Sequence, residues 1–174
     1  SQDEFRFTDH EGNLLQWEVE VYDEVENDMA IWVKSNSTGI SSSVDTLFYM
    51  YYGHATALDI SNATNVWDSN YQGVWHYSDL LDSTSNSYDG TIGGDTTILS
   101  DSWIANSTDY GAEGDHVSYA AKDLGAVSVT VSAWVKVEGY NEEILGSPSN
   151  NGATVFSTRI DGANESPTLM LGDN

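Results

Sequence analysis

Apolar and polar residues alternate along most of this chain. Trp17, Val19 and Val21 fall on one side of an extended segment, and Glu18 and Glu20 on the other. Residues 29–34 predict a second short strand. Residues 44–52 (VDTLFYMYY) are apolar at most positions, as in a central strand covered on both faces. The longest alternation covers residues 127–137. Val127, Val129, Val131, Ala133, Val135 and Val137 point one way; Ser128, Thr130, Ser132, Trp134 and Lys136 point the other. Further strands are expected at 73–77, 116–120, 153–160 and 168–171. Clusters of Gly, Asn, Ser and Asp punctuate them, notably at 82–95 and 146–152. No long amphipathic helix interrupts the series. Many short strands with turn signals between them predict an all-β fold, a β-sandwich or jelly roll.

A change of pattern near residues 63–68 divides the chain into two abutting modules, 1–66 and 67–174. No Pro-rich linker separates them, and no internal repeat is visible.

Composition sharpens this picture. Six Trp, ten Tyr and four Phe supply bulky side chains for a core, so disorder is not expected. Asp and Glu number 28 against 5 Lys and Arg, a formal charge of −23 spread along the whole chain. An even spread makes a solvated acidic shell rather than an interaction tail. Such a shell repels itself in dilute buffer and is tolerated in concentrated salt, so a salt-loving source is expected; an ordinary acidic secreted domain or a calcium-rich surface module is the alternative. Nucleic acid is excluded as a partner by the missing basic footprint. Without cysteine there is neither a disulfide framework nor a thiolate metal site. No run of apolar residues is long enough for a membrane span. Four N-x-[ST] triplets, at Asn36, Asn62, Asn106 and Asn164, point to a glycosylated, extracellular or cell-surface protein.

Two segments resemble known families. The series Arg6-Phe7-Thr8-Asp9, Gly12, Trp17-Glu18-Val19-Glu20, Ile31-Trp32-Val33-Lys34, Phe48 to Ala55 and Val66-Trp67-Asp68 resembles the DUF2341 family. That family carries RFTD.DG, E.E, WVK, YYGN.A and VWD motifs in this order. His54 departs from it, standing where the family usually has Asn. Gly73-Val74-Trp75-His76, Asp82 to Asn86, Asp89-Gly90-Thr91 and Val129 to Lys136 resemble a concanavalin A-like, laminin-G-type (LamG) domain. The pairing of the two is familiar in large prokaryotic surface proteins. It implies that the first module lacks strands before Arg6 and that the second stops short of a full jelly roll. Open sheet edges and an uncovered apolar face are then expected.

Candidate sites are few. Glu18, Glu20, Asp23, Glu24 and Glu26 crowd one strand and turn. Their spacing is not the Glu-x-Asp-x-x-Glu of concanavalin A-like glycosidases, and a solvated acidic face is the plainer reading. The four His, at 10, 54, 76 and 116, form no metal pair, and G-x-S-x-G is absent. His76 beside Trp75 reads as filling a sandwich edge. Residues 82–89 (DSTSNSYD) are rich in oxygen ligands. Asp82, Asn86 and Asp89 are candidates for Ca2+, a site the laminin-G resemblance also implies; an Asx-rich turn is the bland alternative. Trp67, Tyr71, Trp75 and Tyr77 are candidates for a sugar-stacking platform, against a default of core packing. The expected function is a non-catalytic adhesion or carbohydrate-recognition region of a larger secreted protein, binding carbohydrate or another cell-surface protein. A structural stalk module and an accessory region of a secreted glycosidase are the alternatives.

Overall fold

A computed structural model describes residues 2–36, 39–100, 104–112, 114–120, 130–136, 152–157 and 168–172, with the last two segments described as backbone only. Their structure is mostly β. The elements are β1 (Arg6–Asp9), β2 (Trp17–Asp23), β3 (Asp28–Val33), β4 (Phe48–Tyr51), α1 (Ala63–Val66), β5 (Thr91–Gly93), β6 (Thr97–Leu99), β7 (Ser107–Asp109), β8 (His116–Ser118), β9 (Gly152–Ser157) and β10 (Thr168–Gly172). The strands form two-stranded pairs: β1 with β4, β2 with β3, β5 with β8, β6 with β7 and β9 with β10. The chain gathers into two compact units, one of residues 1–89 and 98–108, the other of residues 90–97 and 109–174.

In the first unit the core is Phe5, Phe7, Leu15 and Trp17, with Val19, Tyr22, Ile31 and Val33 packed against it. Its aromatic rings meet edge-on or tilted, Phe5 against Trp17 and Tyr22, and Phe7 against Trp17. The turn after β1 is held by Asp9, which is buried. Its carboxylate accepts the backbone N–H of Glu11 and Asn13 and the side-chain amides of Asn13 and Asn36. Gly12 supplies the left-handed residue of that turn, at φ +87°. The amide of Asn13, then burial working in the opposite direction, and the remaining donors leave the Asp9 pKa lowered to about 2.

The β2–β3 hairpin carries the feature that matters most for the site. Its register runs Trp17↔Val33, Glu18↔Trp32, Val19↔Ile31 and then Val21↔Ala30, so Glu20 is the extra residue of a β-bulge. The bulge reverses the alternation beyond it. Trp17 and Val19 face the core as expected, but it is Tyr22, not Val21, that joins them there. Between β4 and Trp67, α1 is a single turn capped by Asn62, whose side chain accepts from the Asn65 N–H. The backbone N–H of Asn62 bonds the Trp17 carbonyl at 2.9 Å, which ties α1 to the start of β2.

In the second unit β5 pairs antiparallel with β8, Ile92 opposite Val117. The ring of His116 lies over Gly93, where a Cβ would meet it at 2.2 Å. Asp115 accepts the N–H groups of Asp95 and Ala112. β9 and β10 pair antiparallel with a register shift between Leu169 and Met170.

Several expectations fail in instructive ways. Residues 44–52 supply a strand only over Phe48–Tyr51, and all four of its residues are exposed. Its ladder is to β1, so it is not the doubly covered central strand its composition suggests. A run of apolar residues fixes strand propensity, whereas coverage depends on partners distant in sequence. Residues 73–77 form no strand, and Tyr77 sits at φ +58°. Of the long alternation at 127–137, residues 127–129 and 137 lie outside the described residues. Residues 130–136 carry no ladder, and Val131 and Val135 are exposed. Asn164 also lies outside the described residues.

Candidate functional site

Glu18 and Glu20 are two apart on β2 and turn away from the core side that holds Trp17 and Val19. These two depart from the solvated acidic face expected of their cluster, whereas Asp23, Glu24 and Glu26 are exposed. Glu18 is buried, and His76 stands between the two carboxylates. Nε2 of His76 is 3.4 Å from Oε2 of Glu18, and Nδ1 is 3.4 Å from Oε1 of Glu20. The side chains retain only 10–11% exposure. At that separation the contacts are ion pairs rather than well-formed hydrogen bonds, and Nε2 has no hydrogen-bond partner.

The carboxylates have other donors. Trp67 gives its indole Nε1–H to Oε2 of Glu18 at 2.6 Å, and Ser83 gives its hydroxyl to Oε1. Trp32 gives its Nε1–H to Oε2 of Glu20 at 2.6 Å. The same rings wall in the imidazole. Trp32 stacks on His76 at 6.1 Å between centroids and 23° between planes, and Trp67 lies tilted against both. Tyr71 meets the far edge of Trp67 at 4.9 Å. Trp67 is buried, while Trp32 is 43% and Tyr71 47% exposed. The result is an imidazole clamped by two acids beneath a ledge whose outer rings face solvent.

Charge follows from this geometry. Burial pushes the His76 pKa down, but the two carboxylates outweigh it and lift it to about 9, so the ring is an imidazolium at neutral pH. Burial pushes Glu18 up, and His76, Ser83 and Trp67 together hold it below its ordinary value. Burial likewise pushes Glu20 up, and His76 and Trp32 overcome it. Neither acid is poised to deliver a proton at neutral pH.

The loop bearing His76 is closed at its base. The carboxylate of Asp82 accepts the Val74 N–H, and the Ser83 N–H bonds the Val74 carbonyl. Within residues 74–82 both Tyr77 and Leu80 have positive φ, unusual for bulky side chains. Strain of that kind persists only where surroundings fix it.

The sugar-platform candidates are split by this arrangement. Trp67 and Tyr71 come together, with Trp67 sealed by Glu18. Trp75 is held by its Nε1–H on the Tyr88 carbonyl, and Gly73 lies against its ring. Tyr77 is partly buried in the strained loop. Trp32, not among the candidates, takes the second half-exposed place. The proposed calcium ligands organise their own loop. Asp82 accepts four donors, the N–H groups of Val74, Thr84 and Tyr88 and the Thr84 hydroxyl. Asp89 accepts the Asp82 N–H, and the Asn86 amide donates to the carbonyls of Tyr71 and Gln72. Burial raises the Asp82 pKa, and its donors bring it below the ordinary value. Among the described residues no group of three or more His, Cys, Asp and Glu is placed to hold a metal ion. Of the sequons, Asn36, Asn62 and Asn106 are partly exposed, and the Asn36 amide donates to Asp9. No helix among the described residues is long and apolar enough to cross a membrane.

Trp32, Ser83 and His76 were not legible as partners of Glu18 and Glu20. The available signal was a pair of acids at strand spacing directly before a Trp-bearing strand. That pattern says nothing of residues 67–83, and the register that sets Trp32 opposite Glu18 depends on the bulge at Glu20.

No curated protein and no solved structure matches the chain. A protein-family comparison matches residues 1–106 to a domain of unknown function, DUF2341, a span that takes in every residue of the clamp and its ledge. That span is more than half of the 174 residues, and the chain belongs to the DUF2341 family.

Proposed function

We propose that this chain is a non-catalytic recognition region of an exported surface protein, and that it takes a neutral glycan on the half-exposed rings of Trp32 and Tyr71. The observation that carries the reading is the ledge itself: two half-exposed rings, each packed against the buried, hydrogen-bonded Trp67. Flat apolar faces fixed in place, with a few polar groups beside them, suit a sugar ring that must be bound without a deep pocket. A net charge of −23 disfavours acidic polysaccharides, which makes a neutral ligand the better match.

Absence of catalysis is favoured by the chemistry of the two acids. Glycoside hydrolysis needs one carboxyl group protonated at working pH, with its partner free as nucleophile or base. Here both are held below their ordinary values by internal donors and a shared imidazolium. The partly exposed sequons at Asn62 and Asn106 suit an exported, glycosylated protein, whereas the Asn36 amide is taken up by Asp9.

The test is calorimetric titration of the full chain with soluble neutral oligosaccharides of several backbones. Binding to at least one is expected, with Tyr71→Ala weakening it about tenfold, or ~1.4 kcal/mol. Tyr71 is the informative position, because the hydrogen bonds that hold Glu18 and Glu20 come from Trp67, Ser83 and Trp32. A wild-type chain that binds none of the series, or a Tyr71→Ala chain that binds as tightly as wild type, overturns the reading and leaves the structural stalk as its replacement.

A further inference from the structure

The clamp has more order than a binding ledge requires. One imidazole bridges two carboxylates, and each carboxylate holds the indole N–H of a different tryptophan. The two indoles come from different parts of the chain, Trp32 from β3 and Trp67 from the end of α1. What links them is the pair of acids on β2, and what links the acids is His76.

We infer that His76 is the positioning residue of this ledge: its imidazolium fixes Glu18 and Glu20 in the orientation that holds both indoles, and loss of its proton frees the two rings together. The physical reason is charge. Two carboxylates close enough to share one ring repel each other unless a cation stands between them. With the proton present the cluster carries one positive and two negative charges and is nearly closed to water. Without it, two buried anions face a neutral ring that can donate from only one nitrogen. Both carboxylates then lose the cation that holds them side by side, and each turns toward water with the indole it holds. The titratable groups around His76 are Glu18 and Glu20 of β2. Tyr71 lies one ring away against Trp67, and Trp32 of β3 and Ser83 complete the wall. The strained backbone at Tyr77 and Leu80 is consistent with a loop held in place by this contact.

The linkage has a definite sign. His76 is raised from 6.5 to about 9, so the ordering it supplies is complete below pH 6.5 and is lost as pH rises through about 9. The ledge is therefore built at neutral pH and released on the alkaline side. Its role as a ligand surface rests on the proposed glycan reading; the clamp does not.

The experiment reads the clamp without any ligand. NMR of the full chain follows the His76 ring signals and the Nε1–H signals of Trp32 and Trp67 from neutral to strongly alkaline pH. A Tyr71→Phe background removes the neighbouring phenol as a source of shifts. All three groups are expected to change together, with a midpoint near 9. Glu20→Gln keeps an acceptor for Trp32 but removes one charge, and it should lower that midpoint by about one unit. His76→Gln should abolish the shared step. If that variant does not fold, the wild-type and Glu20→Gln titrations decide the matter by themselves. A His76 midpoint near 6.5, or indole signals that stay still while His76 loses its proton, overturns the inference. Failure to bind any glycan would count against the ledge as a ligand surface and would leave this titration untouched.

Discussion

Glu18 illustrates how little of a buried charge is written in its neighbours. Residues 17–21 show that Glu18 and Glu20 share a side of a strand, and alternation alone suggests that this side is wet. The partners that make it dry lie 49, 58 and 65 positions further on, at Trp67, His76 and Ser83. Side-chain chemistry could have warned of this only by excess: two Trp in the matching motifs each bring an N–H that needs an acceptor when buried. The clearest single probe is Trp67→Phe. It keeps an aromatic ring but removes the pyrrole half of the indole with its donor, leaving a buried carboxylate oxygen one partner short. A loss of about 1–3 kcal/mol in unfolding free energy is expected by urea titration near neutral pH. The acids contribute in the opposite pH direction to His76. Their lowered values mean that their stabilisation is present above about pH 4.5 and is lost as pH falls further. A Trp67→Phe chain as stable as wild type would mean that the indole N–H makes no net contribution to holding Glu18.

At the scale of elements, the sequence shows the strands better than their faces. The strands β2, β3, β8, β9 and β10 and the scarcity of helix follow from alternation and turn residues. The bulge at Glu20 does not, because an extra residue leaves apolar and polar positions in their places while exchanging what they face. Read without it, Val21 belongs to the core and Tyr22 to solvent. With it, Tyr22 stands edge-on to Phe5 at 5.5 Å, and its hydroxyl reaches Glu24. Tyr22→Ala should therefore destabilise the chain by about 2 kcal/mol, scaled down from a fully buried aromatic because Tyr22 is only partly covered. Val21→Ala should cost clearly less. Chemical denaturation of the two variants side by side checks the order. Equal losses, or a larger one at Val21, would place the bulge elsewhere. β4 is the complementary case: its residues predicted the strand itself, while their exposure depends on what lies beside β1.

The whole molecule is governed by a charge that no individual contact explains. With 28 acids against 5 Lys and Arg, few acids can have a basic partner. Instead, those with the clearest roles use neutral donors: Asp9 and Asp82 accept backbone and side-chain N–H groups, and Glu18 and Glu20 accept indoles around one histidine. Such carboxylates are satisfied locally at any ionic strength. The remaining acids at the surface repel one another over the Debye length, about 10 Å at 0.1 M salt and about 3 Å at 1 M. Folding brings them closer than they are in the open chain, so dilute buffer penalises the native state. The thermal midpoint is therefore expected to rise from dilute buffer to molar KCl, most steeply at the low end, where screening changes fastest. A general salting-out effect would instead grow steadily with concentration, and replacing KCl by sucrose would leave electrostatic repulsion in place. Melting curves in KCl and in sucrose separate the causes. The joint behaviour of Trp32 and Trp67 around His76 should be unchanged across the same series, because those charges are shielded by rings rather than by ions. A midpoint that does not respond to KCl would show that the acidic shell is too widely spaced to oppose folding, and a salt-adapted origin would lose its physical support.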